Sequence, residues 1–341
     1  MRTTDMGVLI MSNSVQLSQG GGASESNALV NDLFYKYFSN EILLKSEDAA
    51  VLQVNRNIAF TTDSYTVNPI FFKGGDIGKI SIAGTTNDLA MMGAKPLYLS
   101  CGFIIEEGFA YDDLERIVKS MADELKNSGA KIVCGDTKVV PRGAVDKIFI
   151  NTSGIGEVQA QNISSHNLAE DDVILVSRDI GAHGATILSE REELSITSDL
   201  RSDCTSLWSV VEKVLENNIT PSAMRDATRG GLAAVLNEWA DTSNVCIELQ
   251  EDAIPVQNEV KGICEIFGFE PTDFANEGTF VLSVKKSDAQ KTLEILKEYS
   301  QNAAIIGTVT TKRVGKVIIN TAYGSSRYLD MPKGELLPRI C

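Results

Sequence analysis

The last residue of this 341-residue chain is a cysteine, in Pro338-Arg339-Ile340-Cys341. A terminal cysteine carries a thiol and a free carboxylate, with no backbone beyond it to thread through a pocket. Pro332, Gly334 and Pro338 interrupt the run before it. Such a run resists helix formation and reads as an extended arm. Fully stretched from Ser325, the arm would reach roughly 50 Å, enough to carry a thiol from one site to another. A chain end that is merely disordered, with an incidental cysteine, is the other reading.

A second set of residues could hold a metal and a nucleotide. Asp63 interrupts the strand-like run Ile58–Val67, and Asp136 interrupts Lys131–Val140. Asp88, preceded by Asn87, sits in an apolar helical stretch over Ile77–Met92. Carboxylates are out of place in β-rich runs, and breaks in a local pattern mark functional sites. Hard oxygen ligands suit Mg²⁺, which binds through a few carboxylates and the phosphates of a nucleotide. The alternative is three ordinary loop or surface aspartates. Asp226-Ala227-Thr228-Arg229-Gly230-Gly231 leads into a helix at Leu232, whose free amides suit a phosphate, or it is simply a capped helix with a flexible entry. Gly20-Gly21-Gly22 precedes a helical stretch over Asn27–Phe38 and reads either as an amide cradle for phosphate or as a hinge.

The elements that must position these groups alternate along the chain. Strands are expected over 58–67, 96–105, 131–140 and 147–158, with an amphipathic helix over Tyr111–Asn127 stopped by Gly129. A polar junction near Leu168–Asp172 separates a second half with strands at 173–176, 279–284, 304–309 and 317–319 and helices after Gly184, over Asp203–Glu216, over Leu232–Ala240 and past Ala289. The expectation is two mixed α/β domains of α+β class, over 15–165 and 166–324, an N-terminal extension over 1–14, and a flexible tail over 325–341.

Composition narrows the function. Hydrophobic residues make up 43% and charged residues 23%, which fits ordinary globular cores. The net charge of −15 and the lack of a basic stripe argue against nucleic-acid binding. No apolar run approaches the ~20 residues that span a membrane, and a cytoplasmic location is expected. Six scattered cysteines without a Cys-x-x-Cys pair predict reduced thiols. His166 and His183 alone are too few for a histidine-based zinc site, and His183 between glycines reads as a loop residue. Lys73-Gly74-Gly75-Asp76-Ile77-Gly78-Lys79-Ile80 fails the P-loop pattern, and Gly154-Ile155-Gly156 lacks the third glycine of a dinucleotide fingerprint.

Taken together, Thr62-Asp63, Asn87-Asp88, Gly135-Asp136-Thr137 and Asp226-Ala227-Thr228-Arg229-Gly230-Gly231 resemble the ATP-binding set of the aminoimidazole ribonucleotide synthetase-like superfamily. Within it, Gly135–Val140, Asn276-Glu277-Gly278 and the terminal Pro-Arg-Ile-Cys resemble the HypE family of hydrogenase-maturation carbamoyl dehydratases. The likeness runs from about Val15 to Cys341. It departs where the family's glycine loop usually begins His-Gly, since Gln19 precedes Gly20 here, and the extension before Val15 has no counterpart. The resemblance implies a homodimer paired through its N-terminal domains, with ATP and Mg²⁺ in the clefts. Gly20, Gly21, Gly22, Asn87, Thr137, Asp226 and Thr228 would bind nucleotide, and Asp63, Asp88, Asp136 and Asp226 would bind the metal. A carbamoyltransferase, HypF, would load Cys341. ATP-dependent dehydration would then leave a thiocyanate whose cyano group passes to iron on a complex of HypC and HypD. By the same resemblance Glu277 and Lys138 remove the N–H protons, with Lys138 acting either as a base or as a charge that stabilises transferring oxygens. Two rivals stand beside this. Another ATP-using member, such as a selenophosphate synthetase or small-molecule kinase, would have no use for Cys341. The selenium enzyme would carry a reactive cysteine near its glycine loop, and none precedes Cys101. A non-catalytic thiol carrier would have no use for the aspartates.

Overall fold

The computed structural model describes residues 14–20, 24–45, 49–191, 198–333 and 337–341. Gly21, Gly22, Gly334 and residues 1–13 of the expected extension lie outside the described residues.

The single helix expected over 27–38 is instead α1 (Ser24–Leu29), a π-turn over Val30–Phe34 and α2 (Tyr35–Phe38). The wider turn suits the apolar spacing, since Leu29, Leu33, Phe34 and Phe38 are all buried. It stacks Phe34 on Phe38 and, at 4.8 Å, on Phe103 of the sheet. Next come β1 (Ile58–Tyr65), the small hairpin β2 (Phe71–Phe72) and β3 (Gly75–Asp76), and α3 (Ile77–Met91). Asp76 starts α3 by accepting the amides of Gly78 and Lys79 at 2.7 and 3.0 Å. Nearly every side chain of α3 is buried, which explains why its sequence lacks a polar face. β4 (Ala94–Glu106), α4 (Tyr111–Ser128), β5 (Lys131–Val140) and β6 (Ile148–Val158) complete the first half. The four long strands form one sheet in the order β1-β6-β4-β5, with only β4 and β5 parallel. The buried side chains of α3 and α4 join one core with those of the sheet, and the sheet's other face stays open.

The second half contains β7 (Val173–Val176), α5 (Ala182–Glu190), α6 (Trp208–Glu216), β8 (Ala223–Asp226), α7 (Gly231–Thr242), β9 (Cys246–Gln250), α8 (Asn258–Phe267), β10 (Phe280–Val284), α9 (Ala289–Tyr299), β11 (Ala304–Thr310), β12 (Lys316–Asn320) and β13 (Ser326–Tyr328). Its seven-stranded sheet runs β13-β12-β9-β11-β7-β10-β8, and β7 and β10 are buried throughout. The helix expected from Asp203 begins only at Trp208. The amides of Ser206 and Leu207 are taken by Glu124 at 2.6 Å and Asn87 at 2.8 Å, both from the first half, so 203–206 stays outside the helix and Leu207 caps it. Among the described residues no helix is long and apolar enough to cross a membrane.

The expected free arm over 325–341 differs in two ways. Ser326–Tyr328 pairs with β12 as an edge strand. Residues 337–341 are docked, with Leu337 and Ile340 buried in the first core. The end turns at Pro338 and Arg339, and the amides of Thr66 and Asn68 donate to the carbonyls of Cys341 and Arg339 at 2.9 and 3.1 Å. Burying each of the two apolar side chains favours docking by roughly 1.5–3 kcal/mol, offset by the entropy of ordering the arm.

Candidate active site at the junction of the two halves

The site is built where β1 and α3 of the first half meet β8 and the loop before β10. Asp63 alternates with open-face residues along β1 and pairs with Thr152, whose hydroxyl bonds the carbonyl of Ser81 in α3. Asp63 therefore projects on the helix-covered face, where α3 brings Asp88. Thr61, two residues earlier on the same face, donates to Asp88 Oδ2 at 2.7 Å. β8 ends at Asp226, opposite Phe280, and so delivers Asp226 beside the Glu277 loop.

Carboxylates dominate the electrostatics. Burial pushes Asp63 up to about 6, aided by the charge of Asp88 and a hydrogen bond to it, while Arg229 opposes the shift. Burial and the charges of Asp88 and Asp63 push Asp226 up to about 8. Glu277 is held well above the usual carboxylate range by burial, then by Asp226, Asp203, Asp63 and Asp88. A set of crowded carboxylates with Arg229 as the cation opposing Asp63 calls for added positive charge, and a divalent cation supplies it. Among the described residues no three His, Cys, Asp or Glu side chains stand close enough to hold an ion by themselves. An ion at these carboxylates would need phosphate and water oxygens among its ligands, the manner in which magnesium is commonly held.

The terminal thiol shares this field. Burial, then the charges of Glu277, Asp63 and Asp226, push Cys341 up to about 12, and Arg229 works the other way. The residues before it hold the tail in place. Nε2 of fully buried His183 lies 2.8 Å from the carbonyl of Ile340, and its Nδ1 lies 2.8 Å from Ser202 Oγ. Arg339 donates to the carbonyl of Thr66 at 2.7 Å, pairs with Asp146 and lies over the ring of Phe149. Arg191 donates to the carbonyl of Pro338. His183, read from sequence as a loop residue, is a buried contact of the tail in the first turn of α5.

Asn276 ties the Glu277 loop to β8. Its Oδ1 accepts the amide of Gly181 at 2.6 Å, and its Nδ2 donates to the carbonyls of Ala227 and Phe274. The Asp226–Gly231 turn closes when Thr228 accepts the amide of Gly231. Gly231 has φ +58, and a β-carbon there would stand 2.5 Å from the carbonyl oxygen of Thr272, so only glycine starts α7 at this point.

Four expected site residues stand in contacts of their own. Asn87 is already hydrogen-bonded within the chain. Its Nδ2 donates to the carbonyls of Thr205 and Glu277, and its Oδ1 accepts the amide of Leu207, which makes it a pin between the halves. Asp136 and Lys138 are not brought to the other carboxylates within one chain. Asp63, Thr152, Cys101 and Gly135 form one row across the sheet, so β5 lies three strand spacings, ~14 Å, from β1. Asp136 and Lys138 project on the open face, exposed, and pair with each other at 3.3 Å. Thr137 goes with them to that strand. Gly20 ends a short 3-10 turn over Leu17–Gly20. The sequence reading also missed Thr61, Asp203 and Ser202. Ordinary hydroxyls and a plausible helix-start aspartate carry no local signal.

The comparisons with known proteins agree with this geometry. Residues 46–158 match the model of the AIR synthase related protein N-terminal domain, and 169–320 match that of its C-terminal domain. A carbamoyl dehydratase HypE from Escherichia coli (strain K12) is 44% identical over 338 residues, covering 96% of this chain and all of that protein. A crystal structure of the hydrogenase maturation protein HypE in complex with ATP superposes with a TM-score of 0.91 at 45% identity, covering 96% of this chain and 99% of that one. A HypE–HypF complex structure matches with a TM-score of 0.77 at 48% identity, covering 89% and 100%. With both AIR synthase-related domains present and these relatives matched over nearly their whole length, the chain belongs to the HypE family of hydrogenase-maturation carbamoyl dehydratases.

Proposed function

We propose that this chain uses ATP to dehydrate a carbamoyl group carried on Cys341 to a thiocyanate, in the cytoplasm, as the source of a cyanide ligand for a nickel-iron hydrogenase. The observation that carries the reading is the docked tail, which sets a terminal thiol in the field of Glu277, Asp63 and Asp226.

An amide oxygen is a poor leaving group. In the proposed step it attacks the γ-phosphorus of ATP and ADP departs with the bridging bond's electron pair. The C–O bond then breaks as phosphate leaves, both N–H protons are lost, and a nitrile remains on sulfur. Glu277, whose charged form burial disfavours, is a strong acceptor for such a proton once it is deprotonated. Magnesium supplies charge neutralisation at the phosphates when bound, and Asp63, Asp88 and Asp226 are the residues that would hold it. Leu337 and Ile340 fill the tail's path, which keeps water from the activated group.

Loading belongs elsewhere. The attacking species is a thiolate, and a thiol pushed up to about 12 is a poor one. The tail therefore leaves the pocket to be loaded by a carbamoyltransferase of the HypF kind and returns for dehydration, before release of the cyano group to a HypC–HypD scaffold.

The same reading includes a homodimer built on the open N-terminal sheet. No described strand pairs with the outer edge of β1 or β5, and the uncovered face carries Phe60, 68% exposed, and Ile104, 42% exposed. Unpaired edges are templates for further strands. Laying β1 of each copy beside β5 of the other closes the eight strands and sets the partner's Asp136 and the partner's Lys138 one spacing, ~5 Å, from β1. The partner's Asp136 and the partner's Lys138 project on the open face and Asp63 on the helix-covered face, so for Asp136 to join the metal ligands and Lys138 to serve the reaction, as base or as charge, β5 must also turn at that edge.

Mass spectrometry of the C-terminal peptide, after incubation with carbamoyl phosphate, ATP and the transferase, tests the reading directly. Carbamoylation of Cys341 followed by ATP-dependent loss of one water is expected; an unmodified peptide overturns it. The metal assignment makes its own prediction. Asp88→Asn should lower ATP turnover by about a hundredfold or more while circular dichroism stays native, and chelating magnesium should weaken ATP binding in the parent chain. Full turnover in Asp88→Asn would remove Asp88 from the metal set.

A further inference from the structure

Glu277 is gripped from a segment that the reaction scheme leaves unused. Residues 203–206 run outside the helix between the two halves, and Asp203 within them is 4% exposed. Its Oδ1 accepts the amide of Glu277 at 3.0 Å, and its Oδ2 accepts the amide of Gly278 at 3.0 Å and the hydroxyl of Thr279 at 2.7 Å. The other end of the Glu277 peptide is held from the same segment, since its carbonyl accepts the amide of Thr205 at 3.2 Å. The fit leaves no slack: a β-carbon on Gly278 would stand 1.9 Å from the carbonyl oxygen of Asp203.

We propose that Asp203 is a positioning residue for the dehydration, a buried carboxylate that fixes the backbone of Glu277–Thr279 so that the Glu277 side chain meets the carbamoyl nitrogen. The proposal rests on the reading of Glu277 as a proton acceptor. A carboxylate is the side chain for the task, because three donors converge on it and it has only acceptors to offer. Its charge has a partner: Arg178 is penalised by burial, but Asp203, Tyr299 and Asp179 favour its charged form. Tyr299 adds a contact from the far side, donating to the carbonyl of Gly278 at 3.3 Å. The side chain of Asp203 bonds only to the Glu277–Thr279 segment, and not to Asp63, Asp88 or Asp226, among the described residues. Loss of Asp203 should therefore disturb the proton transfer and spare the binding of ATP.

Asparagine at 203 keeps the shape but turns an amide NH₂ against a donor that now has no acceptor. The test uses the full chain, loaded on Cys341 by the transferase with carbamoyl phosphate, then given ATP. Three quantities are read: ATP affinity, the single-turnover rate of water loss from the tail, and ADP formed per thiocyanate. For Asp203→Asn the expected result is unchanged ATP affinity, about a hundredfold slower dehydration, and more ADP per thiocyanate as the activated carbamoyl group is lost to water. Thr279→Val removes one of the three donors and should slow dehydration by about tenfold, which decides the matter if the asparagine variant does not fold. Dehydration at the parent rate in whichever variant folds, or a loss of ATP affinity in step with the rate, overturns the proposal. Glu277→Gln run in parallel separates the two ideas. If it dehydrates normally the reading of Glu277 fails; if it is inactive while Asp203→Asn is not, only the role of Asp203 fails.

Discussion

Replacing Cys341 with alanine should abolish thiocyanate formation and leave ATP binding and the docked tail in place. The docking contacts explain why the effect should be so selective. Thr66 binds the backbone carbonyl of Cys341, His183 binds that of Ile340, Asn68 binds that of Arg339, and the apolar anchors are Leu337 and Ile340. Only the thiol is lost, and with it the atom proposed to receive the carbamoyl group. The other cysteines cannot replace it. Cys101, Cys204, Cys246 and Cys264 are buried, and burial is the largest cause holding the Cys101, Cys204 and Cys264 thiols above their ordinary value. Cys101, Cys134, Cys246 and Cys264 lie within β4, β5, β9 and α8, whereas Cys341 lies on the docked tail that leaves its pocket to be loaded in the proposed cycle. Peptide mass spectrometry checks this: carbamoylation or water loss mapped to another cysteine would defeat the assignment. Residues added after Cys341 sharpen the test, because Cys341 is already held at its carbonyl and enclosed. An extended tail should still be loaded where the site is open, yet dehydrate slowly.

What could be read from the chain depended on range. Asp63 and Asp88 announced themselves because a carboxylate breaks a local apolar pattern, and both lie in the junction. Asn87 was equally visible as a polar residue in a buried helix, but its partners are Thr205, Leu207 and Glu277, and no local pattern names partners that far away. Asp203 was hidden for a related reason. An aspartate ahead of Ser206-Leu207-Trp208 reads as a helix start, and only the loop 74 residues on gives it other work. The breakers at Pro332, Gly334 and Pro338 were read as flexibility. Pro338 and Arg339 form a turn, with Arg339 at φ +54, and the carbonyls of Arg339 and Cys341 accept the amides of Asn68 and Thr66. Strand order was the largest gap. Periodicity identifies β1 and β5 as strands, but not that they occupy opposite edges, and this separates Lys138 from Glu277 within a chain.

That separation leads to the second large effect. Lys138→Ala and Glu277→Gln should each be inactive in dehydration when prepared alone, while a mixture of the two regains activity. In a dimer closed through β1 and β5, a site takes Glu277 from one copy and Lys138 from the other. A hybrid of the two variants then has one site with both residues intact and one site with neither. With random exchange, half the dimers are hybrids with one working site of two, so the mixture should approach about a quarter of the parent rate. Were the two residues to act within one chain, both sites of every hybrid would lack one of them, and mixing would recover nothing. Subunits should be exchanged under mild denaturant, and hybrids isolated by two different affinity tags before the tail is loaded. ATP affinity serves as the control, since Glu277→Gln is expected to keep it. Recovery in isolated hybrids would support both the homodimer and the placement of Lys138 across its interface. Inactive hybrids that still bind ATP and carry a loaded Cys341 would mean that Lys138 acts from its own chain or not at all. The exposed pairing of Lys138 with Asp136 at 3.3 Å would then be a surface contact, worth little to stability and nothing to the reaction.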